Sequence, residues 1–324
     1  MYLSGGSRSL SNETLIGGIS IAFLLALFSF FLTPAVNIPG DYGLCLPSPN
    51  QWNIPPFLSW FLNVLIISGT AFLLPLMNRK YNFIQTTDPL LPLAFLILIA
   101  CNPVITSRLG TPVLLLAVNV LCFYILLETY EKINSTQEFF LIASFLSIGS
   151  MVEYSFLMMI PVFVAGGFLM KSIGWREFVA FGFGLIAPYW IVVGMGIVEP
   201  SQFRFPIGTP ITVQLDLNPQ LYRTLVSIGL AALISMIFSF YNSFSLLHGN
   251  SRVRSIHLSI SIMGYVCIIS MIGDFNNLLA YSGTIYLWLA LEMATLFSTK
   301  SFRSPQIWIL SIWLLFFILY LIML

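Results

Sequence analysis

Residues 278–298 read LLAYSGTIYLWLALEMATLFS, a run of 21 residues with a single charged side chain, Glu292. A bilayer core of about 30 Å is crossed by about 20 helical residues. The run lacks the alternation of apolar and polar residues that the strands of a transmembrane barrel require. Residues 278–298 are therefore predicted to form a helix that crosses a membrane.

The whole chain has the same character as this run. Of its 324 residues, 58% are hydrophobic and only 8% are charged, and the mean hydropathy is +0.94. Soluble globular domains carry about 25% charged residues, so this composition excludes a soluble enzyme and a disordered segment. A formal net charge of +1 leaves no basic surface for nucleic acid. The chain is predicted to be a polytopic helical membrane protein.

Eleven apolar runs are predicted to be membrane spans. They are residues 15–33, 57–77, 89–101, 111–129, 138–150, 154–171, 178–197, 221–246, 257–273, 278–298 and 306–323. The runs at 89–101 and 138–150 are the shortest, and such lengths are typical of either full crossings or re-entrant segments. The prediction is a single all-α transmembrane bundle over residues 1–324 with no soluble domain.

The distribution of basic residues predicts the orientation of the bundle. If the N-terminus is cytoplasmic, the predicted inner segments hold Arg8, Arg79, Lys80, Lys132, Lys171, Arg176, Arg252, Arg254, Lys300 and Arg303. The outer segments hold only Arg108, Arg204 and Arg223. This excess obeys the positive-inside rule. We therefore predict a cytoplasmic N-terminus and a C-terminus on the outer side.

The two longest predicted outer loops, residues 34–56 and 198–220, are rich in Pro, Gly and Asn. Asp41 lies in the first of them, in the sequence PGDYG. The flanking glycines permit a tight turn that would aim its carboxylate into a pocket. As a general base, Asp41 would accept a proton from an acceptor hydroxyl. As an ordinary turn residue it would face water, and the sequence leaves both roles open.

Three further charged residues are predicted at outer helix ends. Arg108 and Arg204 are candidates for binding a phosphate group, because a guanidinium offers paired donors. Arg108 could instead pair with Glu153 or a lipid headgroup, and Arg204 could anchor its loop at the interface. Glu153 lies in a very short connection and is predicted either to reach headgroup level or to face a cavity between helices.

Two polar residues are predicted inside the spans. Glu292 lies about six residues, or about 9 Å, from the inner end of its helix. We expect it to hydrogen-bond with Ser, Asn or Arg of neighbouring helices. A proton relay would need a second acid in the same plane, and no other predicted span supplies one. Asn119 is expected to bridge two helices rather than bind a substrate.

No cofactor or metal site is predicted. The four cysteines have no metal-ligand spacing and are Cys45, Cys101, Cys122 and Cys267. Pairing of Cys45 with Cys101 is left open. The two histidines, His248 and His257, are predicted to share one loop. The chain has no Walker loop and no dinucleotide fingerprint, so it is not expected to bind ATP.

Three segments carry a resemblance to a known family. They are TQEFFLIASFLSIGSM at 136–151, GWREF at 174–178 and GLIAPY at 184–189. They resemble a Bacteroidota family of polytopic inner-membrane proteins described only as a domain of unknown function. The resemblance implies the inner membrane of a two-membrane bacterium, an outer side that is periplasmic, and no assigned activity.

The layout is also similar to that of the GT-C membrane glycosyltransferases, which use polyprenyl-phosphate sugars. Those enzymes place a carboxylate in the first outer loop, use paired short helices, and have a mobile outer loop after the seventh helix. Asp41, the two short spans and residues 198–220 occupy these places here. The similarity implies transfer of a sugar from a lipid-phosphate donor at the periplasmic face. Asp41 would be the base, and Arg108 or Arg204 would hold the phosphate.

Two other functions stay open at this point. The first outer loop contains no paired acids, which favours a non-catalytic subunit or scaffold whose partners are other cell-envelope proteins. A lipid carrier or flippase would need a continuous polar path through the bundle. For that path the spans offer Glu292, Asn119 and scattered Ser and Thr residues. In each case membrane lipids are expected partners.

Overall fold

The structure, a computed structural model, describes residues 12–33, 43–84, 90–203, 219–246, 250–299 and 305–324. Over these ranges the secondary structure is helical and contains no strand. The α-helices are α1 (Asn12–Leu32), α2 (Pro56–Tyr81), α3 (Leu90–Ala100), α4 (Pro103–Ser107), α5 (Thr111–Glu128), α6 (Thr136–Val152), α7 (Ile160–Leu169), α8 (Trp175–Gly194), α9 (Pro219–Ser245), α10 (Ser251–Gly273), α11 (Ser282–Thr299) and α12 (Pro305–Met323). Short 3-10 helices cover Pro49–Gln51, Tyr154–Met159, Pro200–Gln202 and Phe275–Tyr281. The predicted all-helical fold class is confirmed.

Helical structure lies at each of the eleven predicted spans. Within the described ranges, five helices are long and apolar enough to cross a membrane by length and composition: Pro56–Tyr81, Thr111–Glu128, Trp175–Gly194, Leu221–Ser245 and Ser251–Gly273. Shorter apolar helices accompany them. These helices indicate a protein embedded in a membrane.

The two spans predicted to be short have different structures. The segment predicted at 138–150 is part of α6, which has 17 residues and is longer than expected. The segment predicted at 89–101 is α3, which has only 11 residues. Asn102 separates α3 from α4, and its Oδ1 accepts hydrogen bonds from the N–H groups of Val104 and Ile105 at 3.2 and 3.4 Å. Since Asn102 is an N-cap and Pro103 has no N–H to donate, a new helix starts here.

Helix α11 forms the centre of the bundle. Every residue from Tyr281 to Phe297 is buried. The helix packs against α3, α5, α9 and α10. A helix that is apolar on all sides is expected to be buried on all sides, so α11 positions the helices around it.

A glycine allows α10 to approach α11 closely. A Cβ atom built on Gly264 would lie 2.0 Å from Cδ2 of Trp288. The neighbouring Tyr265 packs edge-on against the same indole, with ring centroids 5.4 Å apart. Only a residue without a side chain therefore permits this contact.

Contacts between polar residues define two ends of the bundle. At one end, Lys80 of α2 pairs with Glu128 of α5, and Lys171, just after α7, pairs with Glu131 at 3.2 Å. We call this the basic end; α6 and α10 begin there. At the opposite end, which we call the acidic end, α6 and α10 finish next to Glu153 and Asp274. Helices α6 and α10 therefore cross the bundle in the same direction, from the basic end to the acidic end.

We predict that Gly264→Ala lowers the stability of the bundle by about 1–3 kcal/mol, because the added methyl group collides with the Trp288 ring. The measurement is thermal unfolding of the purified chain in detergent. Gly69→Ala is the matched control, since Gly69 lies inside α2 with no atom within 4 Å of an added Cβ. The control should be neutral or stabilising by up to about 1 kcal/mol. Equal effects of the two changes would contradict the proposed packing.

Candidate functional site

The structure describes four of the six predicted site residues. Asp41 and Arg204 lie outside the described residues. Arg108 is exposed at the end of α4, while Glu153 is fully buried. The described ion pairs include none between Arg108 and Glu153.

Glu153 is held at the acidic end between two helix junctions. One is the connection from α6 to α7, and the other is the connection from α10 to α11. Its Oε1 accepts hydrogen bonds from Nδ2 of Asn277 at 3.0 Å and from Oγ of Ser155 at 3.3 Å. The residue is 0% exposed. Glu153 is therefore buried among side chains at the acidic end of the bundle. Burial is tolerated because neighbouring side chains supply hydrogen bonds to the carboxylate.

A second acid, Asp274, lies in the same region, just beyond the end of α10. Tyr154 donates a hydrogen bond to its Oδ1, and Tyr281 donates one to its Oδ2 at 3.4 Å. Burial raises the pKa of the Asp274 carboxyl above its ordinary value, while the bonds from the two tyrosines act in the opposite direction. Asp274 is thus a partly desolvated carboxyl held by two phenols.

The two acids connect the two junctions reciprocally. Asn277, which lies in the 3-10 helix after Asp274, donates to Glu153. Tyr154, which lies in the 3-10 helix after Glu153, donates to Asp274. Each acid therefore binds a residue from the junction that contains the other acid. We call the group of Glu153, Tyr154, Ser155, Asp274, Asn277 and Tyr281 the acidic-end cluster.

The chain segment that follows Asp41 packs on the end of α6. The N–H of Leu44 donates to the carbonyl of Ser150 at 3.2 Å, and the N–H of Leu46 donates to the carbonyl of Met151 at 2.8 Å. A Cβ atom on Gly43 would lie 2.1 Å from the same Met151 carbonyl oxygen. Gly43 is therefore required for the close approach of this segment to α6.

Phe203, the residue that precedes Arg204, is linked to the same end of α6 through Tyr189. The Phe203 ring packs against the ring of Tyr189 in α8, with centroids 5.9 Å apart. The Tyr189 hydroxyl in turn hydrogen-bonds with Oγ of Ser150. Ser150 thus links the segment after Asp41 and the segment before Arg204 to one helix end, three residues before Glu153.

A separate polar cluster surrounds Glu292 in the interior. Its Oε2 is 2.9 Å from Nε2 of His257 and accepts a hydrogen bond from Nδ2 of Asn242 at 2.8 Å. Its Oε1 accepts hydrogen bonds from Nε1 of Trp288 at 3.0 Å and from Oγ of Ser261 at 3.2 Å. Helices α9, α10 and α11 all contribute to this cluster, which we call the Glu292 cluster. Asn and Ser were expected partners of Glu292, whereas His257 and Trp288 were not.

His257 corrects an expectation from the sequence. It was predicted to share a loop with His248, but it lies inside α10, six residues after the helix begins at Ser251. Asn250 caps that helix, since its Oδ1 accepts a hydrogen bond from the N–H of Arg252 at 3.1 Å. The Asn-Ser pair at 250–251 is a helix-start signal that could have placed His257 correctly. His248 lies outside the described residues.

The donors around Glu292 suit an ionised carboxylate. Indole and amide N–H groups only donate, and two carboxylate oxygens offer about four acceptor sites. Asn242, Ser261, Trp288 and His257 use these sites. Nδ2 of Asn242 also donates to the Glu292 carbonyl at 2.9 Å, while its buried Oδ1 has no partner in the described part of the chain.

Asn119 joins two helices in the interior. Its Nδ2 donates to Oγ1 of Thr284 at 3.0 Å, which links α5 to α11. The residue is fully buried. Next to this contact, a Cβ on Gly283 would lie 2.5 Å from the carbonyl oxygen of Pro112, so the two helices also meet closely through backbone atoms.

An apolar groove lies between α1, α3 and α12. Gly17, Leu93, Ile97, Leu310 and Trp313 are among the residues that line it. None of the residues lining the groove carries a charge. In a membrane such a surface is complementary to hydrocarbon chains.

Among the described residues, no group of three or more His, Cys, Asp or Glu side chains is placed to bind a metal ion. All four cysteines are free, so Cys45 does not pair with Cys101. No family profile, curated protein or solved structure matches the chain. The two resemblances found in the sequence therefore stay predictions.

We predict that Glu292→Ala destabilises the protein by about 3–5 kcal/mol, because it removes the acceptor shared by four buried donors. Thermal unfolding in detergent measures the effect. Glu128→Ala is the matched control, since Glu128 pairs with Lys80 at the exposed basic end, and its loss should cost about 0–1 kcal/mol. A loss of similar size in both variants would show that the Glu292 cluster does not hold α9, α10 and α11 together.

Proposed function

We propose that the protein is an integral inner-membrane transferase of the cell envelope. It would move a sugar or similar group from a polyprenyl-phosphate donor at the acidic end. One observation carries the proposal. The segment after Asp41 hydrogen-bonds to the end of α6 at Ser150 and Met151, and the residue before Arg204, Phe203, packs on Tyr189 of α8, whose hydroxyl bonds with the same Ser150. The described segments next to the two candidate functional residues therefore lie near one helix end, close to the buried Glu153, which supports a shared role for the two residues.

The short sequence distance from Asp41 to Gly43 supports the proposed role of Asp41. Asp41 precedes Gly43 by two positions, with only Tyr42 between them, and a chain of two extended residues spans at most about 7 Å. Its carboxylate would take the proton from an acceptor hydroxyl as that oxygen bonds to the sugar carbon. The bond from this carbon to the donor phosphate breaks in the same transfer, and the lipid phosphate leaves with the electron pair.

The arginines would stabilise the leaving phosphate. Arg108 is exposed, and the N–H of the next residue, Leu109, donates to Oγ of Ser59 at 3.0 Å. Ser59 lies at the start of α2, at the opposite end of that helix from Lys80, and hence at the acidic end. A guanidinium binds phosphate oxygens in a bidentate manner, and Arg204 would do so from the loop after α8.

The distribution of charges supports a defined orientation. Lys80, Lys132 and Lys171 contact acids at the basic end, where the sequence predicts the cytoplasm. We propose that this end faces the cytoplasm, as the positive-inside rule requires, and that the bundle has eleven spans with its C-terminus outside. The acidic end then faces the periplasm, where the lipid-linked donor would be used.

Orientation is tested by introducing single cysteines into a chain whose four native cysteines are replaced. Gln51→Cys at the acidic end should react with a membrane-impermeant maleimide in intact cells, because both the residue and that end are exposed to the outside. Ile133→Cys, at a position 89% exposed at the basic end, should react only after permeabilisation. Labelling of Ile133→Cys in intact cells would reverse the proposed orientation.

We predict that Asp41→Asn reduces transfer by about 100-fold or more, because the carboxamide cannot accept the proton. The measurement is transfer of labelled sugar from a polyprenyl-phosphate donor by the full chain in proteoliposomes, together with the glycan profile of cells. Asp88→Asn is the matched control, since the sequence places Asp88 in a connection on the opposite side.

Unchanged transfer and glycans in Asp41→Asn, with normal amounts of protein, would remove the catalytic proposal. Stoichiometric co-purification with a larger envelope protein in that case would favour the scaffold function instead. Arg108→Gln, compared with Arg79→Gln at the basic end, separates phosphate binding from a general loss of positive charge.

A further inference from the structure

We propose that His257 and Glu292 form a proton-binding site inside the bundle, loaded from the basic end. The ligand is a single proton, and the inference does not depend on transferase activity. The two side chains are 4% and 0% exposed, and His257 Nε2 lies 2.9 Å from Glu292 Oε2. No second acid is needed, because the imidazole supplies the second titratable group.

Hydrogen-bond donors around the carboxylate decide where the proton binds. Asn242 and Trp288 can only donate to Glu292, so these two contacts are best made with an ionised carboxylate. A neutral His257 that donates from Nε2 leaves one net negative charge in the cluster. Addition of a proton at Nδ1 converts the ring to imidazolium, keeps the Nε2–H bond to Glu292, and makes the pair neutral overall.

Neutralisation has a structural consequence. A buried carboxylate without a compensating charge is costly in a membrane, and the imidazolium removes that cost. The charged contact joins α10 to α11, and Asn242 joins α9 to the same carboxylate. Proton binding should therefore tighten the contacts of α9 and α10 with α11, and proton loss should weaken them.

The location of His257 indicates the route of the proton. His257 lies six positions after Ser251, so it is about 9 Å along α10 from the basic end. Ser251 itself contacts the Tyr130 hydroxyl at that end, at 3.3 Å. Glu292 lies ten residues after the start of α11 at the acidic end, or about 15 Å from it. The basic end is therefore the nearer source of water.

Other ionisable groups lie on the helices that surround the pair. On α9, α10 and α11, on the elements packed against them and at the caps of these elements, they are Tyr124, Glu128, Glu153, Tyr154, Tyr222, Arg223, Tyr241, Arg252, Arg254, Tyr265, Asp274, Tyr281, Tyr286, Tyr320 and the thiols of Cys101, Cys122 and Cys267. Of the acids in this set, Glu128 pairs with Lys80, and Glu153 and Asp274 belong to the acidic-end cluster. Helix α7 contributes no ionisable side chain. Histidine is the side chain that ordinarily changes charge near neutral pH.

The small number of histidines in the chain allows the protonation of the His257 ring to be measured directly. The chain contains only two histidines, so a full chain labelled with ¹⁵N-histidine in nanodiscs gives two sets of ring signals. His257→Gln assigns them, and His248→Gln is the matched control. We expect the His257 ring to gain its additional proton at Nδ1 as the pH is lowered, with the Nε2–H bond to Glu292 kept. In Glu292→Gln the imidazolium population at a given pH should fall at least tenfold.

Tryptophan fluorescence gives an independent readout. Because Trp288 Nε1 donates to Glu292 Oε1, its emission should change as the pair gains its proton. This pH response should disappear in Trp288→Phe and His257→Gln and persist in His248→Gln.

Two results would overturn the proposal. One is a His257 ring that keeps a single charge state across the pH range in the unsubstituted chain, a measurement that needs no variant to fold. The other is a titration of His257 that is unchanged by Glu292→Gln. Loss of transferase activity in Asp41→Asn would bear on neither result.

Discussion

A carboxylate in the middle of a hydrophobic bundle is the constraint on which the rest of the structure depends. Glu292 lies on a helix that is buried on every side, so other protein groups and not water must supply its hydrogen bonds. Asn242 of α9 and His257 of α10 do so, and Trp288 adds a bond within α11. Trp288 can take this position only because Gly264 leaves space for the indole. One buried acidic side chain thereby connects three helices.

The two polar clusters lie toward opposite ends of the bundle and differ in construction. The Glu292 cluster joins three long helices through one acceptor. The acidic-end cluster instead joins two helix junctions, and Asn277 and Tyr154 each bind the acid of the other junction. This second arrangement stiffens the end of α6, where two loop segments are attached. A rigid helix end that carries loops is the usual support of a catalytic site, because the scaffold fixes where the loop side chains can reach.

The two proposals concern different regions of the bundle. Group transfer is assigned to the acidic end, with loop residues around Ser150. Proton binding is assigned to the interior, closer to the basic end. Helices α10 and α11 take part in both regions, because Asp274 follows one and Tyr281 precedes the other. A change in how α10 packs on α11 would thus reach the junction that holds Glu153, which gives the two sites a physical connection.

Composition and charge alone determined that the chain is helical and embedded in a membrane, and where its eleven apolar segments lie. These properties follow from the lengths of the apolar runs, which can be read from the sequence without knowing which helices pack together. The polar contacts of Glu292 were foreseeable in kind, since an acid inside a helix requires donors. That His257 would be one of them was decided by tertiary structure, because the partners lie on α9 and α10, 35 or more residues away in sequence. The same holds for Glu153 and Asn277, which are separated by 124 residues and meet only because α6 and α10 end at the same level.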